Sequence, residues 1–469
     1  MTNRRVVIIG SGIAGLSTAI AAREAGVADV LIIDSDETLG GSTRMSVGII
    51  AGADTRFQRG QGLSDSTENY YRDYMYANEW NLPGGIVRTF TQESGTGIEW
   101  LSNLGVEFHQ TLITAGEERV PRGHAVIGRG AALVNTLTER CLELGVSISL
   151  GSAAQGLLMA DTRVVGVCTV DEDIAAEAVV LATGGLGANR AKLAEYFPST
   201  QLVGDWLWYM GSPHAQGSAI DLGRQAGCTI AGVDEGLRLI HANFVQQLES
   251  YHPGWQVLVN GDGNRFVDES MPEGILDRTM RSNGSVATMI FDHQAIDPQL
   301  ANLTSAYKYV IPEIGERTSA NWNPSMLADM IRTGRLISAP SIAELAVKSG
   351  LPPDHLVHTI EEYNCGAESH WDAYGKDPRF IRALSQPPFY AAQVRLATIA
   401  LTGAGPAINR HANVVDTNGN GIPGLYAAGE AIGGLIGSTY VAGGVGLALG
   451  VTFGRIAGTS TGRQLATPN

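Results

Sequence analysis

Two runs of consecutive apolar residues bracket a glycine-led segment at the start of the chain. The first run is RRVVIIG (Arg4 to Gly10), which is β-branched without alternation, as is typical of a parallel strand covered on both faces. The next segment, SGIAGLSTAIAAREAG, predicts a helix that ends at Gly26. The run DVLIIDSD predicts a second buried strand that leads to Asp34. These segments together predict a βαβ unit of about 30 residues.

The same patterns continue as far as Gly185. Residues 85–105 have helical periodicity, and the amphipathic segment AALVNTLTERCLELG predicts a helix closed by Gly145. Strands are predicted for VSISLG, RVVGVCTV and AEAVVLATGG. The last two of these belong to an added sheet that returns to the main one. The first part of the chain is therefore predicted to have an α/β fold.

The amino-acid composition changes in the middle third of the sequence. Glycine becomes rarer there, while Trp, Asn and Pro become more frequent beside helical pieces such as PSMLADMIRTG and SIAELAVKSG. The sequence becomes rich in glycine again from ALTGAGPAIN onward. We therefore predict one domain formed by residues 1–229 and completed by 396–469, with a second, inserted α+β domain at residues 230–395.

The first glycine cluster predicts a dinucleotide site. Gly10, Gly12 and Gly15 have G-x-G-x-x-G spacing between the first strand and the first helix. In this motif they allow the tight turn, the close approach of the pyrophosphate and the close packing of helix on strand. Asp34, at the end of the second strand, is placed to bond ribose hydroxyls. The motif alone does not distinguish NAD from FAD.

Composition and charge exclude several other classes of function. The chain has 469 residues, 59 of them glycine, and a formal net charge of −15. A charge of this sign argues against binding to nucleic acid or to an anionic membrane surface. No run reaches about 20 apolar residues, so no membrane span is expected. The four cysteines have no metal-type spacing, and scattered thiols suggest a reducing, cytoplasmic setting, so we expect no metal site.

Three further glycine-containing segments identify the dinucleotide. They are ETLGGSTRMSVG, VVLATGGLG and GIPGLYAAGEAIGG. Together they resemble the FAD-binding framework of flavoproteins with two dinucleotide folds, in which the last acid, here Glu430, bonds the ribityl or pyrophosphate region. The resemblance implies the following FAD-binding residues: Gly10, Gly12, Ala14, Gly15, Asp34, Ser35, Gly41, Ser42, Thr43, Ala182, Thr183, Gly184, Gly429, Glu430, Gly446 and Leu447.

Other segments narrow the class of flavoprotein. HAQGSAIDLGRQAG, GNRFVDES and the closing IPGLYAAGEAIGG…GVTFGRIAG resemble the fumarate reductase and 3-ketosteroid dehydrogenase superfamily. This implies a Rossmann-like FAD-binding domain of the glutathione reductase type, and it implies that the inserted domain caps a substrate lying on the flavin. Some members attach FAD through a histidine after the GG pair. Ser42 and Thr43 follow Gly41 here, so dissociable, non-covalent FAD is expected.

The cations that hold dicarboxylates in fumarate reductases are missing at their matching positions. Glu273 stands where the resemblance implies a proton-donating arginine, and Leu401 stands where it implies a histidine. Thr439-Tyr440 replaces an asparagine–arginine pair in the last turn. A dicarboxylate would be repelled or left unpaired at such a site. Arg278 supplies a cation only if the alignment shifts by five residues.

The last turn instead resembles that of ketosteroid dehydrogenases, which have TYPGAG where this chain has TYVAGG. The resemblance implies that the Tyr440 hydroxyl and the Gly444 N–H donate to one carbonyl oxygen, which stabilises an enolate in the manner of an oxyanion hole. The base in those enzymes is a tyrosine, and Glu273 takes that position here. A carboxylate in an apolar pocket has a raised pKa and accepts a proton near neutral pH.

We therefore expect an FAD-dependent oxidoreductase that acts on CH–CH groups, closer to the ketosteroid dehydrogenase-like branch. The expected substrate is a small ketone, with a cyclic one favoured; the α-proton goes to Glu273 or a nearby group and the β-hydride to flavin N5. Substrate contacts are predicted for His124, Leu401 and Arg278, and an external electron acceptor is expected. The alternatives are enone reduction at the same site, fumarate-type reduction with Arg278 as acid, and a non-catalytic flavin subunit.

Overall fold

The computed structural model describes residues 3–114, 116, 118–244, 254–296, 311 and 324–466. The chain divides into two compact units, each built from more than one segment. Unit 1 comprises Met1–Ser199, Gly211–Leu237 and Ala400–Asn469. Unit 2 comprises Thr200–Met210 and Arg238–Ile399.

Strands and helices alternate through most of the described chain. The strands are β1 Asn3–Ile9, β2 Val30–Ile33, β3 Ile49–Ala51, β4 Gly123–Ala125, β5 Ser147–Ser149, β6 Ala154–Ala160, β7 Arg163–Thr169, β8 Asp173–Leu181, β9 Trp208–Tyr209, β10 Ile230–Ala231, β11 Gly236–His241, β12 Val257–Val259, β13 Val286–Phe291, β14 Ile337–Ala339, β15 Phe389–Thr402, β16 Gly405–Pro406, β17 Asn413–Val415 and β18 Gly421–Ala427. The helices are α1 Ile13–Glu24, α2 Gly41–Met45, α3 Arg56–Gly60, α4 Thr67–Ala77, α5 Gly84–Asn103, α6 Arg129–Glu143, α7 Arg190–Tyr196, α8 Ser218–Gln225, α9 Glu273–Ser282, α10 Pro324–Arg332, α11 Ile342–Ser349, α12 Pro353–Glu368 and α13 Val445–Ala466.

The main sheet of unit 1 has the strand order β17-β18-β8-β1-β2-β5. Its central strands are parallel, with β1 between β2 and β8, and β18 beyond β8. Val6–Ile9 pair with Val30–Ile33, and both runs are buried, as their unbroken β-branched pattern predicts. The antiparallel strands β6 and β7 extend from β8. The predicted α/β fold class and the βαβ unit are confirmed.

The C-terminal helix α13 packs closely along α1 because a line of glycines faces that helix. These glycines recur every fourth residue, which keeps them on one helical face. A Cβ at Gly450 would lie 2.6 Å from Ile13 Cγ2, and one at Gly454 would lie 2.6 Å from the Ala14 carbonyl oxygen. Gly458 continues the line against the Thr18 carbonyl. This close packing of α13 on α1 places the first turns of α13 near the loop that follows β1.

Unit 2 is built on a mixed sheet in the order β11-β15-β13-β12. The long strand β15 pairs antiparallel with β13 and β14, and parallel with β9. Buried apolar residues of β12, β13 and β15 pack with α9 and α10 in one cluster and with α11 and α12 in another. The unit is therefore of the α+β type.

A buried ion cluster precedes α9 in unit 2. Arg265 Nη2 lies 2.8 Å from Glu269 Oε2, and Lys376 Nζ lies 2.7 Å from the same oxygen. Arg265 also forms an ion pair with Asp372. The two cations lower the pKa of the buried Glu269 despite its desolvation. The arginine of the GNRFVDES motif is thus an anchor for the segment that leads to Glu273.

Two kinds of feature are absent from the part of the chain that the structure describes. No described helix combines the length and apolarity needed to cross a membrane. No three His, Cys, Asp or Glu side chains in the described ranges cluster in a way that could hold a metal ion.

Candidate active site

The loop between β1 and α1 forms a cradle that only glycine can line. Gly10 has φ +113°, and a Cβ there would collide with the Ala182 carbonyl. A Cβ at Gly15 would collide with the Gly10 carbonyl. Gly12 is the N-cap of α1 and brings no side-chain cap. The positive end of the helix is therefore presented to a ligand that approaches the backbone, as a pyrophosphate does.

Asp34 is held in place at the carboxyl end of β2. Its Oδ2 accepts hydrogen bonds from Ser11 N at 2.7 Å and Ser11 Oγ at 2.6 Å, and its Oδ1 accepts one from Asp36 N at 2.9 Å. The neighbouring Ser35 hydroxyl lies 3.2 Å from His214 Nδ1. Ser11 and His214 were not predicted as site residues, because neither falls on a glycine of the motif.

The remaining predicted FAD-binding segments lie beside this loop in unit 1. Thr43 Oγ1 accepts a hydrogen bond from Ile13 N at 3.1 Å, and Ser42 Oγ accepts one from Ser212 N at 3.0 Å. The Thr183 hydroxyl, which follows β8, is buried without a hydrogen-bond partner among the described residues. A buried hydroxyl without a partner is costly unless a ligand or water satisfies it.

Glu430 connects the last predicted FAD-binding segment to the strand β15. Its Oε1 accepts hydrogen bonds from Thr402 N and Thr402 Oγ1, both at 2.9 Å. Thr402 Oγ1 in turn accepts a hydrogen bond from Leu186 N at 3.1 Å. Burial raises the pKa of Glu430 to about 7, although its bonds to Thr402 oppose the shift. The Glu430 carboxyl group is thus held in place by Thr402, and a large fraction of it is protonated near pH 7.

The glycine cradle, the N-terminus of α1, the oriented Asp34 and the Thr183 hydroxyl without a partner among the described residues all fit FAD. Gly10, Gly12, Gly15 and Asp34 would hold its pyrophosphate and ribose, and Glu430 would face its ribityl or pyrophosphate region. A Cβ at Gly429 would lie 2.8 Å from Ala14 Cβ, which joins two of the predicted cofactor positions. When bound, FAD accepts or donates a hydride.

The loop that leads into α13 carries Tyr440 and Gly444. Tyr440 is 9% exposed, and its hydroxyl oxygen accepts a hydrogen bond from Gly446 N at 3.2 Å. Gly444 has φ +98°, and a Cβ there would lie 2.8 Å from the Ile49 carbonyl oxygen, so glycine is required. The Gly444 N–H has no acceptor among the described residues. A hydroxyl and an unengaged amide therefore occur four residues apart in one turn.

Leu401 lies beside this turn. A Cβ at Gly446 would lie 3.1 Å from Leu401 Cδ2, so Leu401 and the Tyr440 hydroxyl both approach Gly446. The position that carries a histidine in fumarate reductases, by resemblance, is thus an apolar neighbour of the tyrosine in this chain. The structure brings together the predicted positions Leu401, Tyr440, Gly444 and Gly446.

A buried ionic network lies behind the turn. Arg122 is fully buried, and its Nε and Nη2 donate to Asp65 at 2.7 and 2.9 Å while Nη1 donates to Asp73 at 2.8 Å. The guanidinium also stacks 4.7 Å above the ring of Tyr70. Burial is the main cause that raises the pKa of Tyr70, and Tyr440 is close enough to contribute. Arg122 is therefore already neutralised by two carboxylates.

Asn78, the C-cap residue of α4, anchors the turn, and sequence reasoning missed it. Its Oδ1 accepts a hydrogen bond from Thr439 N at 3.0 Å, and its Nδ2 donates to Thr439 O at 3.1 Å. On the same helix, the Tyr74 hydroxyl donates to Leu435 O at 2.6 Å. The two bonds to Thr439 fix the backbone directly before Tyr440. No pattern in the sequence marks Asn78, since its partner is 361 positions away.

His124 lies in β4 and is fully buried. Its Nδ1 lies 2.8 Å from Arg122 O, and its Nε2 lies 2.9 Å from Thr55 Oγ1. Burial lowers the pKa of His124 to about 4, so the ring is neutral at pH 7. Both ring nitrogens are thus engaged by the protein, and no described contact supports the predicted substrate role.

The predicted residues of unit 2 lie on one helix. Glu273 is the first residue of α9, and Arg278 follows five positions later, so the two do not share a helical face. Both are partly buried. On the same helix, Asp277 is buried beside Arg238 and Arg281. Elsewhere in unit 2, the Arg395 guanidinium stacks 4.4 Å from the centre of the Trp206 ring.

The fold and the glycine-lined cradle define an FAD-binding flavoprotein. Residues 5–447 match the family model described as FAD binding domain, and the chain belongs to that family. It falls within the superfamily of FAD-dependent oxidoreductases that contains fumarate reductases and 3-ketosteroid dehydrogenases, as its sequence suggested.

Proteins similar to this chain include both reductases and a dehydrogenase. The NADH:fumarate oxidoreductase of Klebsiella pneumoniae is 30% identical over 98% of this chain, but the chain spans only 48% of that relative. The vinyl phenol reductase of Lactiplantibacillus plantarum is 26% identical, and the match covers 98% of this chain and 96% of that protein. The structure of 3-ketosteroid-delta4-(5alpha)-dehydrogenase from Rhodococcus jostii superposes with a TM-score of 0.80 at 25% identity, covering 98% of this chain and 97% of that one.

Proposed function

We propose that this chain, with non-covalently bound FAD, removes a proton and a hydride from adjacent carbons of a ketone, in the manner of a 3-ketosteroid dehydrogenase. The observation that carries the proposal is that one turn holds both the Tyr440 hydroxyl and, four residues later, a Gly444 N–H without an acceptor among the described residues. Two donors that converge on a carbonyl oxygen stabilise the enolate formed when the α-proton leaves. Non-covalent FAD is proposed because Ser42 and Thr43 follow Gly41.

The surroundings of Tyr440 in unit 1 support an uncharged substrate. Leu401 is apolar, and Arg122 is committed to Asp65 and Asp73. A dicarboxylate placed here would gain no cation from these residues and would lose its hydration. A ketone needs only the two donors, so the site suits it better. The proton acceptor within this proposal is Glu273 or another carboxyl group, and an external acceptor reoxidises the flavin.

The direct test mixes oxidised holoenzyme with cyclohexanone or larger cyclic ketones without oxygen and follows the loss of flavin absorbance. Tyr440→Phe removes the phenol but keeps the ring. We expect its rate of flavin bleaching to fall by about 10²-fold with FAD content unchanged, which is the effect of losing one oxyanion donor. A Tyr440→Phe enzyme that bleaches at the wild-type rate contradicts the carbonyl role.

A second candidate is reduction of an unsaturated acid, with Arg278 as proton donor, and the NADH:fumarate oxidoreductase relative favours it. The other relative, by contrast, is named as a reductase of a vinyl phenol, and its name mentions no carboxylate. Reduced holoenzyme separates the candidates, since the proposed site run in reverse reduces 2-cyclohexenone. Reoxidation by fumarate but not by 2-cyclohexenone would select the second candidate.

A further inference from the structure

We propose that Glu235 exchanges the α-proton of the substrate; this deepens the proposed function above and rests on it. Glu235 lies between β10 and β11 in unit 1, in a stretch without any recognised motif. Its Oε2 accepts a hydrogen bond from Gly437 N at 3.1 Å. Gly437 opens the turn that carries Tyr440, so the carboxylate is hydrogen-bonded to the turn that presents the phenol.

The backbone of Glu235 is held by the other loop of the candidate site. Gly403 N donates to Glu235 O at 2.9 Å, and a Cβ at Gly403 would lie 2.6 Å from Glu235 Cβ. A Cβ on the adjacent Gly236 would lie 2.5 Å from the carbonyl oxygen of Leu401. Glu235 therefore sits between the loop of Leu401 and the turn of Tyr440, the two segments that meet at Gly446.

The electrostatic surroundings of Glu235 contain no cation that would hold it ionised. No described residue forms an ion pair with it, and its Oε1 has no hydrogen-bond donor within the described ranges. The phenol of Tyr74 lies close to both Glu235 and Tyr440, and the neighbouring Asp234 is engaged elsewhere, since its Oδ1 accepts a hydrogen bond from Ser199 N at 3.0 Å. Burial raises the pKa of Glu235, and this outweighs the opposing effect of the Gly437 N–H.

This arrangement suits a group that takes and returns a proton. Oε2 is fixed by Gly437 N, which leaves Oε1 for the substrate. In the proton step the α C–H bond breaks, its electron pair forms the enolate whose oxygen Tyr440 and Gly444 hold, and the proton bonds to Oε1. A carboxylate with a raised pKa is a stronger base than an ordinary one and still releases the proton afterwards. Hydride removal from the β-carbon is a separate event.

Glu273 is less suited to this role on the evidence of its own unit. It is the first residue of α9 and belongs to unit 2, whereas Tyr440 and Gly444 belong to unit 1. It also has an interaction partner in the structure. The resemblance selected Glu273 by its count from Arg265, whereas Glu235 is selected by contact with the loops of Tyr440 and Leu401.

The test compares three variants of the holoenzyme. Glu235→Gln keeps an oxygen acceptor for Gly437 N but cannot take a proton. We expect it to retain FAD and to lower the rate of flavin bleaching by cyclohexanone by about 10²-fold or more, the usual share of general-base catalysis. Asp234→Asn is the matched control, since it removes a neighbouring charge outside the site, and we expect it to stay within about twofold of wild type. Glu273→Gln should lose less activity than Glu235→Gln.

Failure of the proposed function is recognised separately. If wild type reduces only fumarate, the ketone proposal fails, and the same variants are then compared in fumarate-driven reoxidation, where Glu235→Gln must still be the slow one. A readout without substrate completes the test: infrared spectra of oxidised holoenzyme should show a carboxylic-acid C=O band that titrates above the ordinary Glu pKa of about 4.3. Because Glu430 also has a raised pKa, the readout is the spectrum of each variant subtracted from that of wild type: the difference for Glu235→Gln should contain this band and the difference for Asp234→Asn should not. Glu235→Gln with wild-type rates, or a Glu235→Gln difference spectrum without this band, overturns the proposal.

Discussion

Asn78 and Thr439 form a two-point backbone clamp, in which one amide side chain accepts from the Thr439 N–H at 3.0 Å and donates to the Thr439 carbonyl at 3.1 Å. Thr439 directly precedes Tyr440, so the clamp sets the direction in which the phenol leaves the backbone. Asn78 is itself buried, which leaves no water to replace it. The side chain of the residue that caps α4 therefore determines the geometry of a turn that lies 361 residues later in the sequence.

The clamp predicts the behaviour of Asn78→Ala. Two buried backbone groups lose their partners, so we expect the free energy of unfolding to fall by about 1–3 kcal/mol. Flavin reduction by cyclohexanone should slow as well, because the backbone directly before Tyr440 is no longer held. Thermal denaturation and anaerobic bleaching measure the two effects. Asn78→Asp keeps the acceptor and should restore part of the stability; a fully active and stable Asn78→Ala would show that the clamp is dispensable.

Gly444 provides a test of the amide half of the carbonyl site. Gly444→Ala places a side chain at φ +98°, 2.8 Å from the Ile49 carbonyl oxygen, so the backbone must shift and the N–H must move. We expect a stability loss of about 1–3 kcal/mol from backbone strain, together with a larger loss of ketone turnover. Urea unfolding and anaerobic bleaching measure these two quantities.

The control for Gly444→Ala is Gly419→Ala. Gly419 has φ +82°, and a Cβ there meets nothing within 4 Å, so the variant carries the cost of the left-handed conformation without the collision. It lies outside the candidate site and should keep its ketone turnover. Equal turnover in the two variants would remove the Gly444 amide from the proposed carbonyl site.

The sequence predicted the elements whose cause is local. Unbroken β-branched runs predicted β1 and β2, and the structure confirms them as paired parallel strands. The G-x-G-x-x-G spacing predicted the cradle at Gly10 and Gly15, whose geometry leaves no room for a Cβ. These features depend on residues within a few turns of one another, and this is why pattern and spacing were sufficient.

The contacts that organise the candidate site are long-range, and no local pattern contains them. Arg122 forms ion pairs with Asp65 and Asp73 that bring together residues distant in the sequence, and these pairs neutralise its charge. Glu235 lies 202 positions from Gly437, its hydrogen-bond donor. One signal was present and not used: the four-residue recurrence of glycines in α13, which predicts a helix face packed closely on another backbone. The predicted catalytic role of Glu273 stays a prediction, since it came from resemblance.

Glu430 predicts a loss of stability as pH rises. Its pKa in the folded, flavin-free chain is about 7, against 4.5 for the ordinary carboxyl group, so the folded state binds its proton more tightly than the unfolded state does. The contribution is therefore fully present below pH 4.5 and is lost as pH rises to 7, by on the order of 3 kcal/mol. Glu430→Gln stays neutral and lacks this contribution, so the melting temperature of the flavin-free variant should rise relative to that of wild type as pH increases from 4.5 to 7. A wild-type slope in the variant would assign the effect to another group.

His124 predicts the opposite slope over an overlapping range. Its folded-state pKa is about 4, against 6.5 for an ordinary histidine, so the unfolded chain takes up the proton first as pH falls. Stability from this group is complete above pH 6.5 and is lost as pH falls to 4, also by on the order of 3 kcal/mol. Since the two slopes oppose each other, wild type alone should show a flattened profile between pH 4.5 and 6.5.

The two effects separate in single variants. His124→Asn loses ring packing and should be less stable than wild type at pH 7, because a buried aromatic-sized side chain is shortened and Thr55 Oγ1 loses its partner at 2.9 Å. The informative quantity is the slope of melting temperature against pH. Below pH 6.5 the variant should become more stable as pH falls, because the effect of Glu430 is no longer opposed by His124. Melting temperatures of flavin-free His124→Asn and Glu430→Gln at half-unit pH steps measure both. Parallel profiles for wild type and His124→Asn would mean that His124 takes up a proton in the folded chain without cost, and the neutral, doubly bonded ring described here would be wrong.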